Sequence, residues 1–198
     1  MKYFSAITLI VLLACPVFSQ SEKAAAAQSA VEKGDYDQAV AAIGEPESAL
    51  ERYWLGRALV ELKRADEAEA QFRQILEADP NDANAHEGIG RVALAGKNYR
   101  GAVENADHAL EIDSNHAGAY YVRGVAMAYM QDFTNSALSL QKSLELNPNN
   151  SYGYYQLGMI QYRQKRFDQT IRNFQKFIEM SPNAPEAAQV RSILKTIK

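Results

Sequence analysis

Apolar and small residues recur along this chain at helical spacing, give way to short polar turns, and then recur again in the same order. Leu55, Gly56, Leu59 and Leu62 share one face of a first helix, and Ala68, Phe72, Ile75 and Leu76 share one face of a second. Lys63-Arg64-Ala65-Asp66 is the polar turn between them. The pattern returns every 34 residues, with glycine at 56, 90, 124 and 158. Ala68, Ala102, Ser136 and Thr170 keep the same step, as do Phe72, Ala106, Leu140 and Phe174, and then Glu77, Glu111, Glu145 and Glu179. Pro80, Pro148 and Pro182 close three of the units, and Ser114 stands at that place in the other. A fixed period of this length predicts a tandem array of helix hairpins that bury their apolar faces against one another.

A glycine inside a helix costs about 1 kcal/mol relative to alanine, so four in register call for a packing reason. The expected reason is close approach of the two helices of each hairpin, helped by the small residues at 68 and 102. Proline cannot continue a helix and restricts the residue before it, so Asp79-Pro80 and Asn147-Pro148 mark the ends of second helices.

The spacing W-x2-L-G-x2-Y, then A-x3-F, then P resembles the tetratricopeptide repeat. It reads here as Leu55-Gly56, Leu59, Ala68, Phe72, Pro80; as Ile89-Gly90, Ala93, Ala102, Ser114; as Tyr120, Gly124, Ala137, Leu140, Pro148; and as Tyr154, Leu157-Gly158, Phe174, Pro182. Arg123 departs from the usual leucine, and Arg52 and His86 from the aromatic opener. The resemblance implies an all-α, right-handed α-solenoid with repeats at 49–82, 83–116, 117–150 and 151–184. A degenerate first unit at 20–48 keeps Gly34, Tyr36 and Ala39 in phase, and Gly44-Glu45-Pro46 shortens its second helix. Residues 185–198 hold one amphipathic helix without a partner, which reads as a capping helix because terminal repeats need a polar outer face.

Residues 1–19 are of another kind. Lys2 precedes an apolar run from Tyr3 to Ala14 that is short for a membrane span, which predicts a signal peptide. Val17 and Ser19 suit ordinary cleavage, leaving Gln20 first and no cysteine in the mature chain. The rival reading takes Leu12-Leu13-Ala14-Cys15 as a lipobox, with Cys15 lipidated. Either way the protein is expected to be exported: periplasmic or secreted, or lipid-anchored to the outer membrane through Cys15.

Chemistry is sparse. The formal charge of −3 leaves no basic stripe for nucleic acid. Gly88-Ile89-Gly90 imitates a dinucleotide fingerprint but sits within a helix, and His86, His108 and His116 lack the spacing of metal ligands. Asn149-Asn150-Ser151 is both a glycosylation sequon and a common polar turn. No enzyme, cofactor or metal site is expected.

A binding surface is expected instead, because first helices of such hairpins line a concave wall. The resemblance places the second, fifth, ninth, twelfth and thirteenth residue of each unit on that wall. Among them are Tyr53, Arg57, Glu61, Glu87, Arg91, Tyr121, Tyr129, Tyr152, Tyr155, Tyr162 and Arg163. Six of the eleven tyrosines fall there, and tyrosine and arginine are the side chains that anchor interfaces. The expected partner is a protein segment, about nine extended residues or one helix, in a shallow trough on the order of 30 Å long. The clamp that grips chaperone tails is absent: its positions hold Tyr53, Arg57, Gly88, Gly118 and Val122. The leader suits the small envelope repeat proteins that assist assembly of other complexes. A purely structural role, with repeats stacking on further copies, is the alternative.

Overall fold

The computed structural model describes residues 21–197, so the leader and Cys15 lie outside the described residues. Within them the chain forms eleven α-helices and no strand. The helices pair as antiparallel neighbours: α1 (Glu22–Lys33) with α2 (Tyr36–Ile43), α3 (Ala49–Glu61) with α4 (Ala65–Ala78), and α5 (Ala83–Ala95) with α6 (Tyr99–Ile112). α7 (Ala117–Tyr129) pairs with α8 (Phe133–Leu146), and α9 (Ser151–Arg163) with α10 (Phe167–Met180), before a single α11 (Ala187–Thr196).

The turns repeat as faithfully as the helices. Asp79, Asp113 and Asn147 each accept the backbone N–H two residues on, at 3.0, 2.9 and 3.1 Å. Three residues later Asp82, His116 and Asn150 cap α5, α7 and α9 with their side chains. The sequon is therefore a capped turn between hairpins. His116 caps through Nδ1 and reaches Asn84 Oδ1 with Nε2 at 3.1 Å, so one imidazole ties two turns together. At the hairpin tips a left-handed residue reverses the chain. Gly34 fills that place first, at φ 83°, and Lys63, Lys97, Gln131 and Lys165 follow at 61°, 61°, 66° and 60°.

The in-phase glycines do seat neighbouring side chains. A Cβ on Gly56, Gly124 or Gly158 would fall 2.6, 2.7 or 2.5 Å from Phe72, Leu140 or Phe174 of the same hairpin. Gly90 differs: Ala106 faces it in place of a large residue, and the nearest atom is Val122 Cγ1 of the next hairpin, at 3.1 Å. Gly88 completes the picture, because its Cβ would meet Cζ of Phe72 at 2.6 Å. The Phe72 ring is thus held between two glycines, and where Ala106 replaces a phenylalanine, Val122 replaces the glycine.

First helices touch along the array, α1 with α3, α3 with α5, α5 with α7 and α7 with α9, while successive second helices do not meet. The array therefore curves with its first helices inside. α11 packs Val190, Ile193 and Leu194 on Phe174 and Phe177 of α10, and leaves Ala188, Arg191, Ser192 and Lys195 exposed.

Candidate functional site

The middle of the concave wall is a polar network built on Glu87. This carboxylate on α5 has no exposed surface. It accepts the Tyr53 hydroxyl from α3 at 3.1 Å and the Arg91 Nε–H one helical turn away. Arg57 then donates to the Tyr53 hydroxyl oxygen at 2.9 Å. Gly118 on α7 makes room, since a Cβ there would come within 2.7 Å of Glu87 Oε1. Burial alone would raise the pKa of Glu87, but Arg91, Arg57 and His116 outweigh it and hold the acid below its ordinary value. The carboxylate is ionised, buried and paired, the condition under which a buried charge is tolerated.

Aromatic rings carry both guanidinium groups. Arg57 lies over Tyr53 and Trp54 at 5.7 and 5.5 Å, and Arg91 over Tyr121 at 5.5 Å. Arg57 Nε is buried without a hydrogen-bond partner. The Tyr121 hydroxyl has its pKa pushed up to about 12, chiefly by burial, with Gln156 of α9 pulling slightly the other way. Tyr53, Arg57, Glu87, Arg91 and Tyr121 are therefore one unit, although the pattern alone only placed them on one wall.

The remaining expected wall residues divide into two groups. Tyr152 donates to Glu186 Oε2 at 3.0 Å, and Tyr155 packs on Phe177 with ring centres 5.2 Å apart. Burial, followed by Glu186, raises the pKa of both tyrosines. Tyr129, Tyr162 and Arg163 stand at the rim near the hairpin tips: Tyr129 stacks on Tyr99 at 4.7 Å, Arg163 covers Phe133 at 5.8 Å, and Tyr162 meets Phe167 at 6.2 Å. Glu61 is exposed at the same level. Tyr53 and Glu87 are buried, so their part is to hold the arginines rather than to touch a partner.

Sequence reasoning missed Tyr36, Trp54, Gln156 and Glu186, and named Gly118 only as a position, without the space it leaves for Glu87. Tyr36 feels burial first and then Glu61, Arg57, Arg91 and, from the far end of the described chain, Glu186. Tyr152 in turn feels Tyr36. The concave side lined by the first helices is the cup to which these residues belong. Among the described residues no group of three or more acids, histidines or cysteines could hold a metal ion.

Models of the tetratricopeptide repeat match residues 24–83 and 53–117, then 117–150, then 139–172. The chain belongs to the tetratricopeptide repeat family, a family of protein-binding scaffolds, and is an all-α, right-handed solenoid of its hairpins. A search of the curated proteins finds no match. Among solved structures it is similar to TTC0263, a thermophilic repeat protein of Thermus thermophilus, with 16% identity, 88% of this chain and 96% of the other covered, and a TM-score of 0.71. Cut9 in the Cut9–Hcn1 hetero-tetramer of the APC/C is similar over 86% of this chain and 35% of the other, with 18% identity and a TM-score of 0.70. MamA of Desulfovibrio magneticus RS-1, from residue 41 on, gives 22% identity, coverage of 84% and 99%, and a TM-score of 0.55.

Proposed function

We propose that the concave cup binds a segment of a partner protein and that the chain, exported and without catalysis of its own, helps position that partner in a larger complex of the cell envelope. The observation that carries this is the Glu87 network. A buried carboxylate fixes two arginines on aromatic faces of the concave wall. Rigid, pre-oriented donors lower the ordering cost of binding. Tyr121, Tyr152 and Tyr155 supply apolar area with hydroxyl tips around them, the composition of an interface anchor. A segment carrying a carboxylate between apolar residues matches this wall. The leader at 1–19 supports export, and the family supports a binding role.

The test is site-specific photo-crosslinking in the native host, with the reactive residue at Tyr155 and, as control, at Lys142 on the outer face of α8. One partner captured through Tyr155 alone, and lost when Arg57→Ala and Tyr121→Ala are added, is the expected result. Capture of the protein's own copies, or of partners through Lys142 alone, would replace the cup with the stacking role.

A further inference from the structure

The hairpin tips from α5 to α10 form one edge of the array. Lys97, Arg100, Arg163, Lys165 and Arg166 stand exposed there, and none of them forms an ion pair among the described residues. On the outer faces of the second helices several cations are paired instead: Arg73 with Glu69, Lys142 with Glu145, Lys176 with Glu179. Two acids share the edge, Asp132 and Asp168, and Asp132 is engaged by the backbone N–H and amide of Asn135 as the cap of α8.

Between these cations lie large apolar side chains that the fold leaves in water. Tyr129, Met130 and Phe167 are 60%, 50% and 40% exposed, so half of the six large exposed hydrophobics among the described residues crowd one edge. The Tyr99–Tyr129 stack, the Arg163–Phe133 contact and the Tyr162–Phe167 contact each bridge neighbouring elements, which makes the row continuous. The tips also hold Lys97, Gln131 and Lys165 in the left-handed region where Gly34 serves the first hairpin. A non-glycine residue is disfavoured there by roughly 1–2 kcal/mol, and Lys63 carries the same cost at the α3–α4 tip, so the conformation fixes where the two edge lysines point without being special to this edge.

We propose that this edge docks on an anionic phospholipid surface, with the tips of α5–α6, α7–α8 and α9–α10 lying in the headgroup layer. Aromatic rings with polar tips, a methionine and long cationic side chains are the residues that settle at a membrane interface. Unpaired cations supply the charge complementarity. The edge is a ridge and not a groove, so it meets a plane better than a peptide. The opposite edge, where hairpins join, carries Glu77, Asp79, Asp82, Glu111, Asp113 and Glu145, and anionic headgroups would turn it away. Contact is peripheral: among the described residues no helix is long and apolar enough to cross a membrane.

The experiment is co-sedimentation of the mature chain with phosphatidylcholine vesicles and with vesicles containing about 30% phosphatidylglycerol. Binding to the anionic vesicles at least about tenfold tighter than to the neutral ones, and weakened by about 0.5 M salt, is expected. Lys97→Gln, Lys165→Gln and Arg166→Gln together should weaken it at least about tenfold, and Tyr129→Ser with Met130→Ser should weaken it at unchanged charge. Circular dichroism confirms that each variant is folded. Lys142→Gln with Lys176→Gln on the outer face, and Arg57→Ala in the cup, should leave it unchanged. Equal affinity for both vesicles, no binding to either, or equal loss in the outer-face control overturns the proposal, and none of these outcomes touches the cup.

Discussion

Phe72 and Gly88 offer a sharp test of how the hairpins fit. The Phe72 ring has no exposure, and it fills the space that a side chain at 56 or 88 would occupy. In the next unit Ala106 and Val122 divide the same volume the other way, and a Cβ added at Gly90 would stand 3.1 Å from Val122 Cγ1. Phe72→Ala alone should cost about 3–5 kcal/mol, the usual price of an emptied aromatic site. Gly88→Val alone drives a branched side chain into the ring and should cost about 1–3 kcal/mol. Combined, the valine puts back three of the six carbon atoms removed, so the pair should recover about 2 kcal/mol relative to Phe72→Ala, a favourable coupling within the range for touching residues. Urea unfolding followed by circular dichroism reads all three variants, with an unchanged slope as the check on cooperativity. A double variant no more stable than Phe72→Ala would refute the volume exchange.

Replacing Lys97 by glycine removes a left-handed lysine and should add about 1 kcal/mol, a rise of about 2–4 °C in melting temperature; a fall would show that Lys97 makes a stabilising contact. Glu87 links stability to acid: its folded pKa is depressed, so its contribution is fully present above the unfolded value of about 4.3 and is lost as pH falls through the folded value. Glu87→Gln should cost about 3–5 kcal/mol at neutral pH and flatten the acid limb of the stability profile; parallel acid limbs in the two proteins would refute the buried ion pair.

The periodic part of the fold was legible because a repeated contact leaves a repeated residue. Gly56, Gly124 and Gly158 each face a large side chain 16 residues later, and the sequence displays both members in step. Gly88 was not legible in that way, since its position holds Trp54, Val122, Gln156 and Val190 in the other units and only the size of the facing side chain accounts for it. The wall showed the same division. The register placed Tyr53, Glu87 and Arg91 on it, yet which side chains are covered depends on neighbours one hairpin away, such as the missing Cβ of Gly118. Tyr36 and Glu186 lie outside the four in-phase units, so the 34-residue register gave them no place on the wall.

The ends of the array bear on where its function resides. In α9 the face toward its partner helix carries Leu157 and Gly158, both buried. In α11, 34 residues on, the corresponding places hold Arg191 and Ser192, both exposed, with Lys195 beside them. A further hairpin stacked there would bury Lys195, and Arg191 with only the Pro182 carbonyl as its partner, and burying cations without a countercharge is costly. At the other end α1 presents Glu22 and Ala25, one charged and one too small to anchor a helix. The two described end helices thus show charged and small residues where a stacked hairpin would need apolar ones. What the hairpins offer in its place is their sides: a concave cup stiffened by one buried carboxylate, and a ridge of unpaired cations and exposed rings. The two are fixed to one scaffold, so a partner held in the cup would also be held at a set distance and orientation from whatever the ridge touches.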